Sequence, residues 1–148
     1  NGIAVDAGLR TSAEGVWAAG DCASFPWKGG RTRLESVGNA IDMGEAAAES
    51  MMGRDVTYDA KPWFWSDQYD CKLQIAGLNA GHDAVHVRPS EGDAVSHWYY
   101  GGGHLLAVDA MNDSRAYMVG KRLIETGKSP EPEAVTDPAT NLKALLKA

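Results

Sequence analysis

The sequence predicts an α+β protein: a strand-and-helix segment, then a small antiparallel sheet with helices added at its end. Two patterns carry that expectation. Short strand-like runs bounded by Gly, Pro, Asn and Asp recur between residues 72 and 110, the pattern of strands joined by tight turns. Two longer stretches, 36–52 and 113–124, have helical spacing, a capping residue in front and a glycine behind.

Taken in order, Ile3 and Val5 alternate before a turn at Asp6-Ala7-Gly8, and Gly15 to Ala19 reads as a buried strand of about five residues. Cys22 to Arg33 holds Pro26, Gly29 and Gly30 and is expected to be a loop. The helix from Ser36 to Met52 sets Ile41, Gly44, Ala48 and Met52 along one face, and Gly53 supplies its stop. Pro62 breaks any helix and marks the region of a boundary, which divides the chain into residues 1–58 and 59–148. Beyond it, 72–76, 84–88, 94–100 and 104–110 read as an antiparallel meander, with Gly101-Gly102-Gly103 as a hairpin turn. Asn112 or Asp113 caps the next helix, Lys121 and Arg122 suit its C-terminal half, and Gly127 ends it. Residues 129–137 read as a Pro/Glu linker, and 138–147 as a short amphipathic helix bearing Leu142, Leu145 and Leu146.

Composition narrows the function classes. The 148-residue chain carries a net charge of −6, which argues against nucleic acid or an anionic membrane surface as the main partner. No run approaches the ~20 apolar residues of a membrane span. The opening Asn1-Gly2-Ile3 has neither an initiator Met nor a signal-peptide pattern, and reads like the interior of a longer chain. Cys22 and Cys71 form no CxxC and suit two free thiols in a reducing cytoplasm, although parity allows one disulfide.

The string Thr11-Ser12-Ala13-Glu14-Gly15-Val16-Trp17-Ala18-Ala19-Gly20-Asp21 carries the chemistry. An apolar strand ending in Gly-Asp is what a dinucleotide site needs at a strand's carboxyl end. Glycine lets the backbone approach a ligand, and the carboxylate accepts bonds from a ribose or polyol hydroxyl. Alone, the string equally fits an ordinary turn. It is followed by Arg33-Leu34-Glu35-Ser36-Val37-Gly38-Asn39-Ala40 at a helix start, where free N–H groups favour an anion or an electron-rich carbonyl. Then comes the aromatic run Pro62-Trp63-Phe64-Trp65-Ser66-Asp67-Gln68-Tyr69-Asp70, whose planar rings suit a planar cofactor.

Together, in this order, these three motifs closely resemble the ferredoxin, putidaredoxin and rubredoxin reductases of bacterial oxygenase systems, within the pyridine nucleotide-disulfide oxidoreductase superfamily. The resemblance runs from about Gly2 to Ala110. It implies that residues 1–58 are the tail of an FAD-binding Rossmann-like domain and 59–148 a C-terminal reductase domain. Gly20 and Asp21 would bind FAD, Asp21 at the ribityl chain. Glu35, Ser36, Val37 and Ala40, with Gly38 and Asn39, would face the pyrimidine edge of the flavin from the helix start and stabilise negative charge on the reduced ring. Phe64, Trp65 and Ser66 would line the ring where a [2Fe-2S] ferredoxin or rubredoxin docks. In such enzymes NAD(P)H reduces the flavin, and electrons pass singly to the iron–sulfur partner.

The chain departs from the family at two points. It has no GxGxxG opening a helix, because Gly101 to Gly103 lies between two strands, so NAD(P)H would be bound by a domain outside this chain and the chain alone would not turn over. A disulfide-reductase reading requires a catalytic His-Pro pair, and none of the four histidines precedes a proline. His82 and His86 could share one side of a strand, but no further ligand stands at metal spacing, so surface or half-buried histidines are expected. Trp63, Trp98, Tyr99 and Tyr100 read as core or interface residues. Lys28, Arg31 and Arg33 form a basic patch suited either to an acidic ferredoxin or to ordinary solvation. A monomer or weak dimer is expected, and a cofactor-free docking or dimerisation module is the alternative from another class.

Overall fold

The computed structural model describes residues 1–147, which fall into two compact units, 1–62 and 63–147.

In the first unit, β1 (Ile3–Ala4) pairs in parallel with β2 (Ala23–Trp27), and β2 pairs antiparallel with β3 (Gly30–Thr32). The Cys22–Arg33 segment is therefore a hairpin and not the expected loop. Lys28 and Gly29 both take positive φ, 46° and 78°, the requirement of a two-residue turn whose twist matches the strands. Pro26 is tolerated because β1 pairs only Ala23 and Ser24, so at Pro26 the strand is paired with β3 alone and its other side needs no N–H. Gly15 to Ala19 does not form the expected strand. It folds back on Leu9 to Thr11 with a single bridge, Arg10 to Trp17, and bonds from Thr11 N–H to the Val16 carbonyl and from Ala18 N–H to the Leu9 carbonyl. Among the described residues this extended run joins no ladder.

Helix α1 (Val37–Met51) starts where the Ser36 hydroxyl accepts from Asn39 N–H, as its sequence requires. It buries Asn39, Met43, Ala47 and Ser50 and leaves Ile41 and Met52 exposed, so the packed face is not the one that Ile41, Ala48 and Met52 mark. Met43, Leu9 and Phe25 are the largest side chains sealed in this core. Trp17 Nε1 donates to Ser50 Oγ at 3.0 Å and Trp27 Nε1 to the Ala60 carbonyl at 3.1 Å, so both indoles pack with their polar ends satisfied.

The second unit is a five-stranded antiparallel sheet of β4 (Trp63–Gln68), β5 (Cys71–Gly77), β6 (Ala84–Pro89), β7 (Val95–Gly101) and β8 (His104–Met111). The order is β4-β5-β8-β7-β6. Two features differ from the sequence reading. The aromatic run is itself the edge strand β4. And β5 pairs with β8 instead of β6, which makes the last four strands a Greek key and not a meander. Gly102 and Gly103, at φ 57° and 80°, form the expected β7–β8 turn.

One face of the sheet is covered by α2 (Ser114–Glu125). Asp113 is the helix cap, accepting from Ala116 N–H at 2.9 Å. At the far end, Gly127 N–H reaches the Ile124 carbonyl and Lys128 N–H the Leu123 carbonyl, the paired bonds of a left-handed glycine cap. Gly120 lets the helix lie close on the sheet, since a Cβ there would stand 2.6 Å from Val108 Cγ2. Trp98, Val108, Leu123 and Val135 are fully enclosed.

The expected linker is docked structure. It holds α3 (Pro132–Thr136), whose Val135 is buried in the core, and Tyr100 Oη donates to the Pro130 carbonyl at 2.8 Å. The guanidinium of Arg88, on β6, donates to the carbonyls of Val135, Asp137, Pro138 and Thr140 at 2.5–3.2 Å. Residues 142–146 form a 3₁₀ turn instead of an amphipathic α-helix, with Leu142 alone fully buried.

Candidate functional site

In the first unit, Gly20 opens a 3₁₀ turn, Gly20–Cys22, with φ of 77°. That conformation strains any residue with a Cβ, and a Cβ here would sit 3.4 Å from the Ala40 side chain. The turn therefore lies directly against the start of α1. Asp21 follows with an exposed carboxylate, while its backbone carbonyl accepts from Arg33 Nη1 at 2.9 Å. Arg33 Nη2 meets Glu35 Oε1 at 2.6 Å, so one guanidinium ties the Gly-Asp turn to the entry of the helix. Gly20, Asp21, Glu35, Ser36, Val37 and Ala40 thus share one patch of this unit.

The chemistry of the patch follows from the helix start. The N–H groups of Val37 and Gly38 lie in the first turn, where no intrahelical acceptor exists, and the helix dipole adds partial positive charge there. Val37 is 58% exposed and Gly38 is buried, so this turn meets solvent at Val37. Free donors, a glycine in left-handed conformation and an exposed carboxylate suit the electron-rich edge and the polyol chain of FAD.

The side chain of Asn39, whose backbone alone the sequence reading placed at the site, and Tyr58, which it left out, complete the patch from behind. Asn39, 5% exposed, donates from Nδ2 to the Leu34 carbonyl at 3.0 Å and to Met43 Sδ at 3.2 Å. Its Oδ1 accepts from Tyr58 Oη at 2.9 Å. Burial, with Asp42 and Asp59 adding to it, pushes the Tyr58 phenol up to about 12, so it remains a donor across neutral pH. An asparagine in a first turn is an ordinary helix residue in sequence, and nothing in the string marks its partner Tyr58.

Phe64 and Trp65 belong to the second unit, side by side on β4, 41% and 37% exposed. Alternation sends them to opposite faces of the strand. Trp63 and Trp65 share a face and stack, with ring centroids 5.4 Å apart at 19°. Lys121 Nζ of α2 lies 5.0 Å from the Trp63 ring centroid, a cation–π contact that fixes the pair against the helix. Ser66 pairs across the sheet with Leu73.

His82 and His86 do not form a metal pair. The His82 ring nitrogen lies 2.7 Å from the Asn79 carbonyl and the ring packs edge-on to Tyr99, while His86 packs edge-on to Tyr100. Among the described residues no cluster of three or more His, Cys, Asp and Glu side chains could hold a metal ion. Cys22 and Cys71 are both free thiols. No described helix is long and apolar enough to cross a membrane.

Fold and patch together define an α+β segment: a Gly-Asp turn against a helix start, then a Greek-key unit with an aromatic edge strand. The chain belongs to the reductase C-terminal family, whose model matches residues 63–146, and residues 1–44 match the pyridine nucleotide-disulphide oxidoreductase model. It is 42% identical over 149 residues to rhodocoxin reductase from Rhodococcus erythropolis, covering 99% of this chain and 35% of that protein. It is 43% identical to a ferredoxin–NAD(P)(+) reductase from a Sphingomonas species, covering 99% of this chain and 36% of that one. Its backbone matches the crystal structure of a covalent putidaredoxin reductase–putidaredoxin complex with a TM-score of 0.90 at 34% identity, over 99% of this chain and 36% of that one. The chain thus spans about a third of the length of the relatives that it matches.

Proposed function

We propose that this chain is part of an FAD-dependent NAD(P)H:ferredoxin- or rubredoxin-type reductase, with residues 1–58 as the tail of the FAD-binding domain and 59–148 as the reductase domain. The observation that carries the reading is the Arg33 link, which sets the Gly20-Asp21 turn beside the free N–H groups of the α1 start. When bound, FAD would supply the redox chemistry, two-electron exchange with NAD(P)H and one-electron transfer to an iron–sulfur protein. The chain's residues bind and orient. Asp21 accepts hydrogen bonds from ribityl hydroxyls, and Gly20 keeps the approach open. The first turn of α1, from Ser36 through Val37 to Ala40, presents donors and positive potential to the pyrimidine edge. Glu35 holds Arg33 in place. Trp65, with Phe64 and Ser66 beside it on the other face of β4, lines the ring on the side of the [2Fe-2S] ferredoxin or rubredoxin. NAD(P)H binding belongs to a domain outside this chain, and the protein works in the cytoplasm as a monomer or weak dimer.

The test is a visible absorbance spectrum of the purified 148-residue chain with and without added FAD, together with flavin stoichiometry in the full-length protein carrying Asp21→Ala. Flavin retained by wild type and weakened in Asp21→Ala supports the assignment. Unchanged stoichiometry in that variant sinks the role of Asp21. A full-length protein that never takes up flavin leaves a cofactor-free docking module in its place.

A further inference from the structure

Tyr58 lies on the extended segment after α1, and three contacts fix it. Its backbone N–H donates to the Ala7 carbonyl at 2.9 Å, its ring stands edge-on to the buried Phe25 with centroids 5.3 Å apart, and its hydroxyl donates to Asn39 Oδ1 at 2.9 Å. Asn39 in turn donates to the Leu34 carbonyl, the residue from which the chain enters the helix. Its own N–H is held by Ser36 Oγ. Entry residues 35–37 are therefore pinned at one end by the Ser36 cap and at the other by a relay from Tyr58 through Asn39 to Leu34. Every polar atom of the Asn39 side chain is used in this relay, so its amide has one orientation.

This wiring bears on the reading of the α1 start as the flavin-facing donor set, and the inference rests on that reading. Electrostatic stabilisation depends on donors that are held before charge develops, because a donor that must reorganise gives back part of what it contributes. We propose that Tyr58 is a positioning residue: without touching the cofactor, it fixes through Asn39 the direction of the Val37 and Gly38 N–H groups, and so sets how much better the reduced flavin is bound than the oxidised one. The phenol is suited to the task because it remains a protonated donor at working pH.

The experiment compares wild-type, Tyr58→Phe and Asp21→Ala full-length holoprotein by flavin midpoint potential, FAD dissociation constant and thermal midpoint. Tyr58→Phe keeps the ring on Phe25 and removes only the hydroxyl. It is expected to weaken reduced-flavin binding up to tenfold more than oxidised-flavin binding, which lowers the two-electron potential by up to ~30 mV. A residue of merely structural importance would lower the thermal midpoint and leave the potential unmoved, and that result overturns the proposal. If Tyr58→Phe does not fold, Tyr58→Met, a flexible apolar filler, carries the same readout. If neither folds, Tyr58 is a folding determinant and the positioning role is overturned. The two levels of failure separate cleanly. Wild type that binds flavin, Asp21→Ala that loses it and an unmoved potential in Tyr58→Phe refute Tyr58 alone. A wild-type protein without flavin removes the functional reading and the inference together.

Discussion

Arg88 should be the residue on which the C-terminal quarter of the chain depends. Its guanidinium, buried to 7% exposure, is the common donor for four carbonyls on a segment that has little other hydrogen bonding to the sheet. In Arg88→Met the apolar stem is roughly kept and the four bonds are lost. The Asp137 and Pro138 carbonyls lie on exposed residues and recover water, so most of their loss is offset. The Val135 carbonyl belongs to a fully buried residue and would be left unsatisfied, at a cost of about 1–3 kcal/mol. Adding about 1 kcal/mol for partial losses at the others gives a destabilisation of about 3 kcal/mol. For a unit of this size that lowers the thermal midpoint by about 15 °C. Circular dichroism melting of the purified chain reads the shift, and limited proteolysis should find new cleavage between Lys128 and Asn141. Arg88→Lys should recover little, because one ammonium cannot span four acceptors. A variant melting within ~3 °C of wild type, with no new cleavage, would refute the view that this contact docks the segment.

Three other outcomes are expected. Gly77→Ala should cost about 3 kcal/mol or more, since φ is 77° and a Cβ would lie 2.1 Å from the Leu106 carbonyl oxygen; Gly127→Ala, at φ 68° in open space, should cost only about 1 kcal/mol, and equal melting shifts for the two would contradict the steric argument. Asp113→Ala removes the α2 cap and the partner of Ser90 Oγ, so the midpoint should fall by about 5 °C while Asp113→Asn stays near wild type; indifference to both substitutions tells against the cap. Burial pushes the phenols of Tyr58 and Tyr100 up to about 12, in each case with carboxylates adding to it. The folded state then keeps protons that the unfolded chain releases from pH 10.0 upward, so these groups leave stability unchanged below pH 10 and erode it between pH 10 and 12. Denaturant midpoints followed alongside tyrosinate absorbance should show that decline, and a flat profile over this window argues against it.

What was legible in the sequence was mostly local. Ser36 and Gly53 bracket α1, Asp113 and Gly127 bracket α2, and Gly102-Gly103 turns β7 into β8, each through chemistry confined to a few neighbouring residues. Two local signals misled. Pro26 and the glycines of the Cys22–Arg33 segment read as a loop, although Lys28-Gly29 adopts a tight hairpin turn; the apolar run before Gly20 reads as a strand, but strand formation needs a paired neighbour, and among the described residues the run makes a single bridge, Arg10 to Trp17. Pairings between distant residues left no trace in the string: β5 beside β8, Arg88 under the carbonyls of α3, Tyr58 against Asn39. For the candidate site, residue types announced the Gly-Asp turn, the helix start and the aromatic run. The link that holds the first two together, from Arg33 to the Asp21 carbonyl, and the bond from Tyr58 to Asn39 behind them join residues distant in sequence and had to be seen.

The strand order of the second unit also constrains how it assembles. The β4–β5 hairpin and the β6–β7–β8 ribbon each close through nearby residues and should form early, on the time scale of hairpins. Leu73 can meet Met111 only after both pieces exist, and residues 78–83 must then span two intervening strands, about 14 Å at the usual strand spacing. The Cα path from Gly77 to Ala84 reaches roughly 23 Å when extended, so the strap has length to spare, part of it taken up by the turn in which His82 N–H donates to the Asn79 carbonyl. Joining β5 to β8 is thus the non-local step of this unit, and lengthening the strap by a few glycines should raise its loop-closure cost only slightly.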